Sequence, residues 1–527
     1  MTGRLSRRGN PAAALFVPAC FVAAPFVAFL AHNAEAGVHA WDVLRYPAFA
    51  LPFLATAMLA IWFFAGRTAA DRVAVVTTAA LLAFFNYGAL SDGLEGTGIS
   101  MPVRLLVWVV LAFGLAAVAL AWSRHRSAIR FLAVAGAILV AIPLAQYLAS
   151  DRSDGTIQAT DEAPSEAAFQ RTPDIYYIVP DAYGRADLLA EEFDFDNSAF
   201  LDALRERGFE VVDGALAHYP VTFLSVASTL DMDYVVEPAG DALRGGREPF
   251  YDRMRGGSAL HRRLEVEGYA HVAAPPGTWE GSECSGAEDL CVPAVSNRFL
   301  GGLLGEVEWE LAHLTPVGEL IDAYFTESFA RPFADPGHVV RTVRQANLEQ
   351  PAFVQVHMLQ THTPFQFDRE CRLTPPATHD LRTWSEAGRA AYVEAIECAN
   401  TQLLEAVDLM DDDAIVVILA DHGPAFTLGL STPFEEWTEE TLRERYSVLH
   451  AYRLPRACRE MPPAIPVNVF RVVVACLEGE RPDLLTERWF FAGYLDEPEV
   501  REMSRPPWRP SPAAAASRAA PGATHRD

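Results

Sequence analysis

The residues best equipped for chemistry stand at the ends of short apolar runs. Ala414-Ile415-Val416-Val417-Ile418-Leu419-Ala420 is followed at once by Asp421-His422-Gly423. An unbroken run of β-branched and aliphatic residues reads as a strand buried on both faces, and the abrupt change marks its carboxyl end, where open α/β sheets hold ligands. Gly423 lets the backbone turn away from that tip. Asp174-Ile175-Tyr176-Tyr177-Ile178-Val179-Pro180 has the same character and delivers Asp181. Between the two, His218-Tyr219-Pro220-Val221-Thr222-Phe223-Leu224-Ser225 puts a hydroxyl, Thr222, at the predicted start of a helix, beside the positive end of its dipole. Asp181, Asp421, His422 and that hydroxyl offer three oxygens and one imidazole, a donor set suited to Mn²⁺, Mg²⁺ or Zn²⁺, with Ca²⁺ also open. A cation held there lowers the hydroxyl's pKa and neutralises an anionic group under attack, which makes Thr222 a nucleophile for phosphoryl or sulfuryl transfer and Ser225 the runner-up. The plain alternatives are an ordinary polar turn for Asp421-His422 and a simple N-cap for Thr222.

The elements that must position these side chains alternate. A helix is predicted over residues 198–207 and a strand over 209–212. Phe353-Val354-Gln355-Val356-His357-Met358 forms another strand and runs into Leu359-Gln360-Thr361-His362-Thr363-Pro364-Phe365. A long helix over 386–409 leads into the Asp421-His422 strand; a late strand over 446–452 and a late helix over 467–476 follow. Strand and helix in alternation give an α/β fold, a mostly parallel sheet sandwiched by helices, over residues 173–504. His357 is expected in the core or supporting a metal ligand, and Arg185 as an ion-paired side chain that could otherwise reach an anionic substrate. His450 has no assigned role. Residues 505–527 are Pro, Ala, Arg and Ser with little apolar bulk and read as a disordered tail.

Composition divides the chain elsewhere. Of 42 basic and 68 acidic residues, ten and five lie in the first 150, so that part carries +5 and the rest −31. The acidic exterior argues against nucleic acid, and an anionic substrate would need a local positive charge such as a metal. Every basic residue is Arg, which excludes Lys Schiff-base chemistry and a P-loop Lys. Residues 12–31, 46–65, 73–90, 105–122 and 131–149 are apolar and free of charge, each near the ~20 residues a bilayer-spanning helix needs. Residues 1–150 therefore form a domain of five transmembrane helices, with the acidic stretch 151–172 as a linker. Arg4, Arg7, Arg8, Arg67, Arg72, Arg124, Arg126 and Arg130 fall in alternate loops, which puts the amino terminus in the cytoplasm and everything after Ala149 outside. The first run is alternatively a signal peptide cleaved near Ala34-Glu35-Ala36, and outward placement of the remainder survives either reading. Asn86 and Gln146 inside these runs are expected to bond neighbouring helices. Six of the seven cysteines lie in the outer part, as Cys284/Cys291, Cys371/Cys398 and Cys458/Cys476. An even number in an exported domain favours disulfides, nearest-neighbour pairing being one of several connectivities.

The order of strand-borne Asp181, helix-opening Thr222, His362 in His-Thr-Pro-Phe, then Asp421-His422-Gly423 resembles the sulfatase-like branch of the alkaline phosphatase superfamily. With five preceding membrane helices, the layout looks like lipoteichoic acid synthase and related phosphoglycerol transferases. The resemblance implies that Asp181, Thr222, Asp421 and His422 bind one Mn²⁺ or Mg²⁺, that Thr222 forms the covalent intermediate, and that His362 contacts the oxygens of the transferred group. It further implies a multi-pass plasma-membrane protein that transfers a phospho-group from a membrane lipid to an envelope glycan, or hydrolyses a phosphate ester. Those synthases have Glu where Asp181 stands, and their substrate-binding Trp and Arg have no match here, which leaves the donor open. A non-catalytic role in envelope assembly is the reading from another class; four intact site residues speak against it. Cys291-Val292-Pro293-Ala294-Val295 lacks the Arg of a formylglycine pattern, which speaks against a true sulfatase.

Overall fold

The computed structural model describes residues 11–32, 40–95, 99–149, 168–235, 247–276, 284–294, 306–324, 333–363, 365–374, 384, 388–427, 434–458, 465–493 and 500–503. The linker up to residue 167, the tail from 504, the arginines at 4, 7 and 8 and the cleavage-like Ala34-Glu35-Ala36 lie outside them. Two compact units make up the chain, Met1–Asp151 with Gly302–Phe329, and Arg152–Gly301 with Ala330–Asp527. The division departs from a linear one in a single segment: Gly302–Phe329, which falls between strands of the second unit, groups with the first.

In the first unit five helices are long and apolar enough to cross a membrane, Ala12–His32, Val43–Ala65, Arg67–Phe85, Met101–Trp122 and Ser127–Ala149. It is the multi-pass membrane part of the protein. Small residues let its helices approach closely: Ala14, Ala70, Ala74 and Ala128 are buried together with Val17, Phe21 and Leu132. A Cβ at Gly136 would come within 2.9 Å of the Cys20 Cβ. Phe49, Phe53, Leu106 and Phe113 face outward, as lipid contact requires. Asn86 donates to the Leu82 carbonyl of its own helix at 2.8 Å instead of reaching a neighbour. The helices Glu306–His313 and Pro316–Tyr324 of the returning segment are tied into the same unit by ion pairs. Arg45 pairs with Glu308. Arg104 Nε lies 2.9 Å from Glu319, which also accepts from Ser91.

The second unit is built on a seven-stranded sheet in the order β2-β7-β6-β1-β5-β3-β4. In chain order the strands are β1 (Ile175–Pro180), β2 (Glu210–Val211), β3 (Ala270–Ala274), β4 (Leu290–Cys291), β5 (Ala352–Met358), β6 (Ile415–Leu419) and β7 (His450–Arg453), and β8 (Trp489–Ala492) pairs separately with β9 (Val500–Met503). Within the seven-stranded sheet β7 runs antiparallel to β6 and to β2 and the other pairings are parallel, while β8 and β9 are antiparallel. Every side chain of β1 and β6 is buried, as their unbroken apolar composition predicts for strands covered on both faces. On one face Tyr177 packs edge-on against Phe470 of the helix Val469–Glu478; the amphipathic helix Pro336–Ala346 and the long helix Arg389–Leu409 are packed together elsewhere in the unit. Burial of each large aliphatic side chain in these strands contributes about 1.5–3 kcal/mol. The described disulfides are Cys284–Cys291, Cys371–Cys398 and Cys458–Cys476, the nearest-neighbour set.

Candidate metal centre and active site

Register brings the acidic pair together. Ile178 of β1 lies opposite Ile418 of β6, so Asp181 and Asp421, each three residues further on, emerge side by side at the carboxyl ends of adjacent strands. Val179 lies opposite His357 of β5. Side chains alternate along a strand, so Asp181 shares its face with Val179 and reaches His357 on the diagonal. Thr222 is the first residue of the helix Thr222–Asp231, preceded by Val221 in an extended conformation. The N-cap position thus belongs to Val221, and the Thr222 hydroxyl is left to face the strand tips. Ala182, directly after Asp181, has φ 60°. This left-handed turn costs about 1 kcal/mol or more and persists because its surroundings fix it: the Ala182 N–H donates to Asp421 Oδ1 at 3.2 Å and its carbonyl accepts from the Tyr392 hydroxyl at 2.8 Å.

Lone pairs converge on one point. His422 Nδ1 lies 3.1 Å from the Gly423 carbonyl, which can only accept, so Nδ1 carries the proton and Nε2 presents a lone pair. That Nε2 is 3.1 Å from Thr222 Oγ1, 3.2 Å from Asp421 Oδ2 and 3.7 Å from Asp181 Oδ1. Burial, reinforced by the charge of Arg445, holds His422 well below its usual pKa and therefore neutral. Asp421 is pushed well up, first by burial and then by the neighbouring Asp181 carboxylate. Burial also opposes ionisation of Asp181, but the imidazoles of His362, His357 and His422 outweigh it and keep that carboxyl below the ordinary range. His357 Nε2 donates to Asp181 Oδ2 at 2.9 Å.

Asp181 Oδ1 and Asp421 Oδ2 are buried and accept no hydrogen bond from the described residues. Two buried carboxylate oxygens and an imidazole lone pair pressed together repel one another unless a cation sits among them, and the three donors lie within 4.8 Å of each other. Oxygen-rich ligation with one imidazole fits a hard or borderline divalent ion. The residues present therefore fit the cation that their types suggested, and the Thr222 hydroxyl lies beside them, 3.1 Å from His422 Nε2.

The other candidates separate cleanly. His362 Nδ1 donates to the Thr363 carbonyl at 2.7 Å, and the ring packs edge-on to Trp384 with centroids 5.7 Å apart. A protonated His362 ring would lower the pKa of both Asp181 and His422. Ser225, the runner-up nucleophile, is buried and donates to the Tyr219 carbonyl at 2.9 Å, so it serves the turn before the helix. Arg185 is fork-paired with Asp187 at 2.6 and 2.8 Å and spends a third donor on the Ala215 carbonyl, a structural role. His450 is buried, and neither ring nitrogen is hydrogen-bonded to the described residues. The residue that sequence reasoning missed is Arg445, fully buried and bonded to the carbonyls of Pro220 and Gly423. It closes the acidic and basic stretch 435–445, whose charge pattern resembles a solvated helix, and no periodic signal sets it apart.

Residues 323–446 match the family model described as sulfatase. The matched segment contains His357, His362, Asp421, His422 and Arg445 and lies downstream of Asp181 and Thr222. No curated protein matches the chain. Among solved structures, the integral membrane protein lipooligosaccharide phosphoethanolamine transferase A (EptA) from Neisseria meningitidis aligns over 89% of this chain and 96% of its own, at 12% identity and a TM-score of 0.40. The C-terminal periplasmic domain of EcEptC from Escherichia coli aligns over 66% and 98%, at 12% identity and 0.40. The phosphonate monoester hydrolase of Agrobacterium radiobacter aligns over 60% and 80%, at 14% identity and 0.36.

Proposed function

Because the outer unit carries a sulfatase-family domain, we propose that this protein is a membrane-anchored, extracytoplasmic, metal-dependent catalyst of phosphate-ester transfer that works through a covalent phospho-Thr222. The observation that carries this reading is the convergence of the Thr222 hydroxyl with His422 Nε2 and two buried carboxylate oxygens that accept no hydrogen bond from the described residues. Asp181, Thr222, Asp421 and His422 hold the ion, Mn²⁺ or Mg²⁺ being the best match to the donors. When bound, the cation supplies Lewis acidity and a lowered pKa for the coordinated hydroxyl. Thr222 Oγ1 attacks phosphorus as the bond to the leaving alcohol breaks, the Thr222 proton ending on the departing oxygen; an acceptor hydroxyl then displaces Thr222 in a second step, its proton returning to Thr222 Oγ1. His362 contacts the oxygens of the group in transit, and His357 holds Asp181 in orientation.

Five membrane helices exceed what anchoring needs, which favours a phospholipid donor at the membrane surface and an envelope glycan as acceptor; water as acceptor uses the same residues. Placement outside the cytoplasm is supported by the paired arginines as well as by loop charge. Arg45 and Arg104 stand at the starts of the second and fourth membrane helices, against the positive-inside trend, and each is matched by a Glu of the segment Gly302–Phe329. The three disulfides of the catalytic domain favour the oxidising side of a membrane.

The test is Mn²⁺-dependent cleavage of a chromogenic phosphodiester by the full-length protein in detergent, beside Thr222→Ala. Wild type is expected to lose turnover with a chelator and regain it with Mn²⁺; Thr222→Ala should lose at least about 10³-fold in kcat. Activity equal in the two proteins, or in neither with no metal bound, would sink the reading and favour a structural role. Release of diacylglycerol from labelled phosphatidylglycerol separates the transferase from a general diesterase.

A further inference from the structure

Arg445 is the penultimate residue of the helix Glu439–Tyr446 and is 2% exposed. Its Nε donates to the Pro220 carbonyl at 2.7 Å and its Nη1 to the Gly423 carbonyl at 2.8 Å. Pro220 ends the turn that launches Thr222; Gly423 follows Asp421-His422. Its backbone joins in as well, since the Gly423 N–H donates to the Arg445 carbonyl at 2.7 Å. The chain at Gly423 is pressed so closely on this helix that a Cβ there would lie 2.1 Å from the Glu444 carbonyl oxygen. The Gly423 carbonyl also accepts the His422 Nδ1 proton at 3.1 Å, so one oxygen is shared by the guanidinium and the imidazole.

We propose that Arg445 is a positioning residue for the transfer reaction, the planar fork that keeps the Thr222 turn and the Asp421-His422 turn in register. The two turns belong to different segments, and neither is set by the other through a strand ladder: Thr222 lies past a loop and His422 past the end of β6. The 3.1 Å approach of Thr222 Oγ1 to His422 Nε2 spans that gap. A guanidinium presents donors at a fixed angle and can serve both carbonyls at once, whereas an ammonium of similar reach serves them only as a point charge. Loss of the fork frees the two turns to drift, and displacement of a nucleophile by about 1 Å is enough for ~10²-fold in rate. Loss of the Gly423 carbonyl's position also unlocks the His422 ring.

The inference rests on the proposed phosphate-ester chemistry, and the experiment reads the two apart. Full-length Arg445→Lys and Arg445→Gln are compared with wild type and with Arg263→Gln, another buried Arg of the same unit that pairs with Glu267 and Glu478. Arg263→Gln measures the effect of breaking a buried Arg alone. At saturating Mn²⁺, kcat per folded molecule is expected to fall ~10-fold for Lys and ~10²-fold for Gln, with the diester KM within ~3-fold, and Mn²⁺ dissociation constants to rise ~10-fold. Arg445→Ala should regain part of its kcat on addition of low-millimolar guanidinium. The proposal is overturned if the Arg445 variants melt early like Arg263→Gln but turn over normally once folded. If wild type binds Mn²⁺ yet cleaves no phosphodiester, the reaction reading fails, and Arg445 is judged on Mn²⁺ affinity alone: unchanged affinity in Arg445→Gln removes the proposal too.

Discussion

Replacing His357 by Phe deletes one hydrogen-bond donor while filling most of the same buried volume. The donor in question is Nε2–H, 2.9 Å from Asp181 Oδ2, on a residue only 4% exposed. A hydrogen bond to a charged group contributes about 1.5–3 kcal/mol, and its loss leaves the carboxylate free to rotate away from the position that suits a cation. At about 1.4 kcal/mol per decade this is ~10–100-fold in metal affinity, the range found when an outer partner of a metal ligand is removed. His357→Gln puts an amide donor near the original Nε2 and should lose no more than ~3-fold by the same reasoning. The assay is Mn²⁺ binding by titration, followed by turnover at saturating Mn²⁺, where His357→Phe should return to within a few-fold of wild type because His357 touches neither nucleophile nor substrate. Unchanged affinity in the Phe variant would refute the argument, as would a kcat at saturating metal as low as that of Thr222→Ala, which would mean that His357 takes part directly.

Cys371–Cys398 pins the segment after His362 to the helix Arg389–Leu409 across a separation of 27 residues. Loop-closure entropy for that length is about 3–4 kcal/mol, so the double variant Cys371→Ser/Cys398→Ala should melt several degrees lower by calorimetry, with His362-dependent turnover falling before the metal is lost. His218 and His450 are pushed down to about 4 and about 3, in both cases first by burial. Each is neutral in the folded protein and protonates near its ordinary pKa of ~6.5 once unfolded, so the stability it contributes is complete above pH ~6.5 and is lost as pH falls from there towards 4–3. The loss approaches about 1.4 kcal/mol per pH unit for each ring, and His450→Phe should flatten the acid limb of a denaturant-midpoint profile by that share; an unchanged slope would show the ring to be charged in the fold.

Strands buried on both faces declare themselves by composition, which is why β1, β5 and β6 were legible, and with them Asp181, His357 and Asp421-His422 at or near their ends. Thr222 was legible as a helix start because Pro220 and the small residues after it punctuate the chain. The short strands were harder. β3 and β4 escaped notice, and the late strand expected over 446–452 is His450–Arg453, because Tyr446 still closes a helix and Ser447 and Val448 form only isolated bridges to Leu216 and Gly184. β7 turns antiparallel, a fact set by the return of the chain and not by any side-chain pattern. Arg445 could not be distinguished from its charged neighbours, since what makes it different is the three-dimensional meeting of carbonyls 225 and 22 residues away. The same holds for Glu308 and Glu319: an acid that neutralises an Arg two hundred residues distant carries no local mark.

The excursion of Gly302–Phe329 makes this protein awkward to dissect. The polypeptide passes from one unit to the other three times, at Asp151, at Gly302 and again after Phe329. A truncation that starts near Pro173 therefore removes the partners of Ile321, Glu319 and Glu308 while leaving those side chains in place, with carboxylates stripped of their arginines and an apolar surface turned to water. A soluble version designed for crystals or assays should replace that span with a short polar connection, and proteolytic nicking of the intact molecule would need three cuts, one at each crossing, before the two units could part.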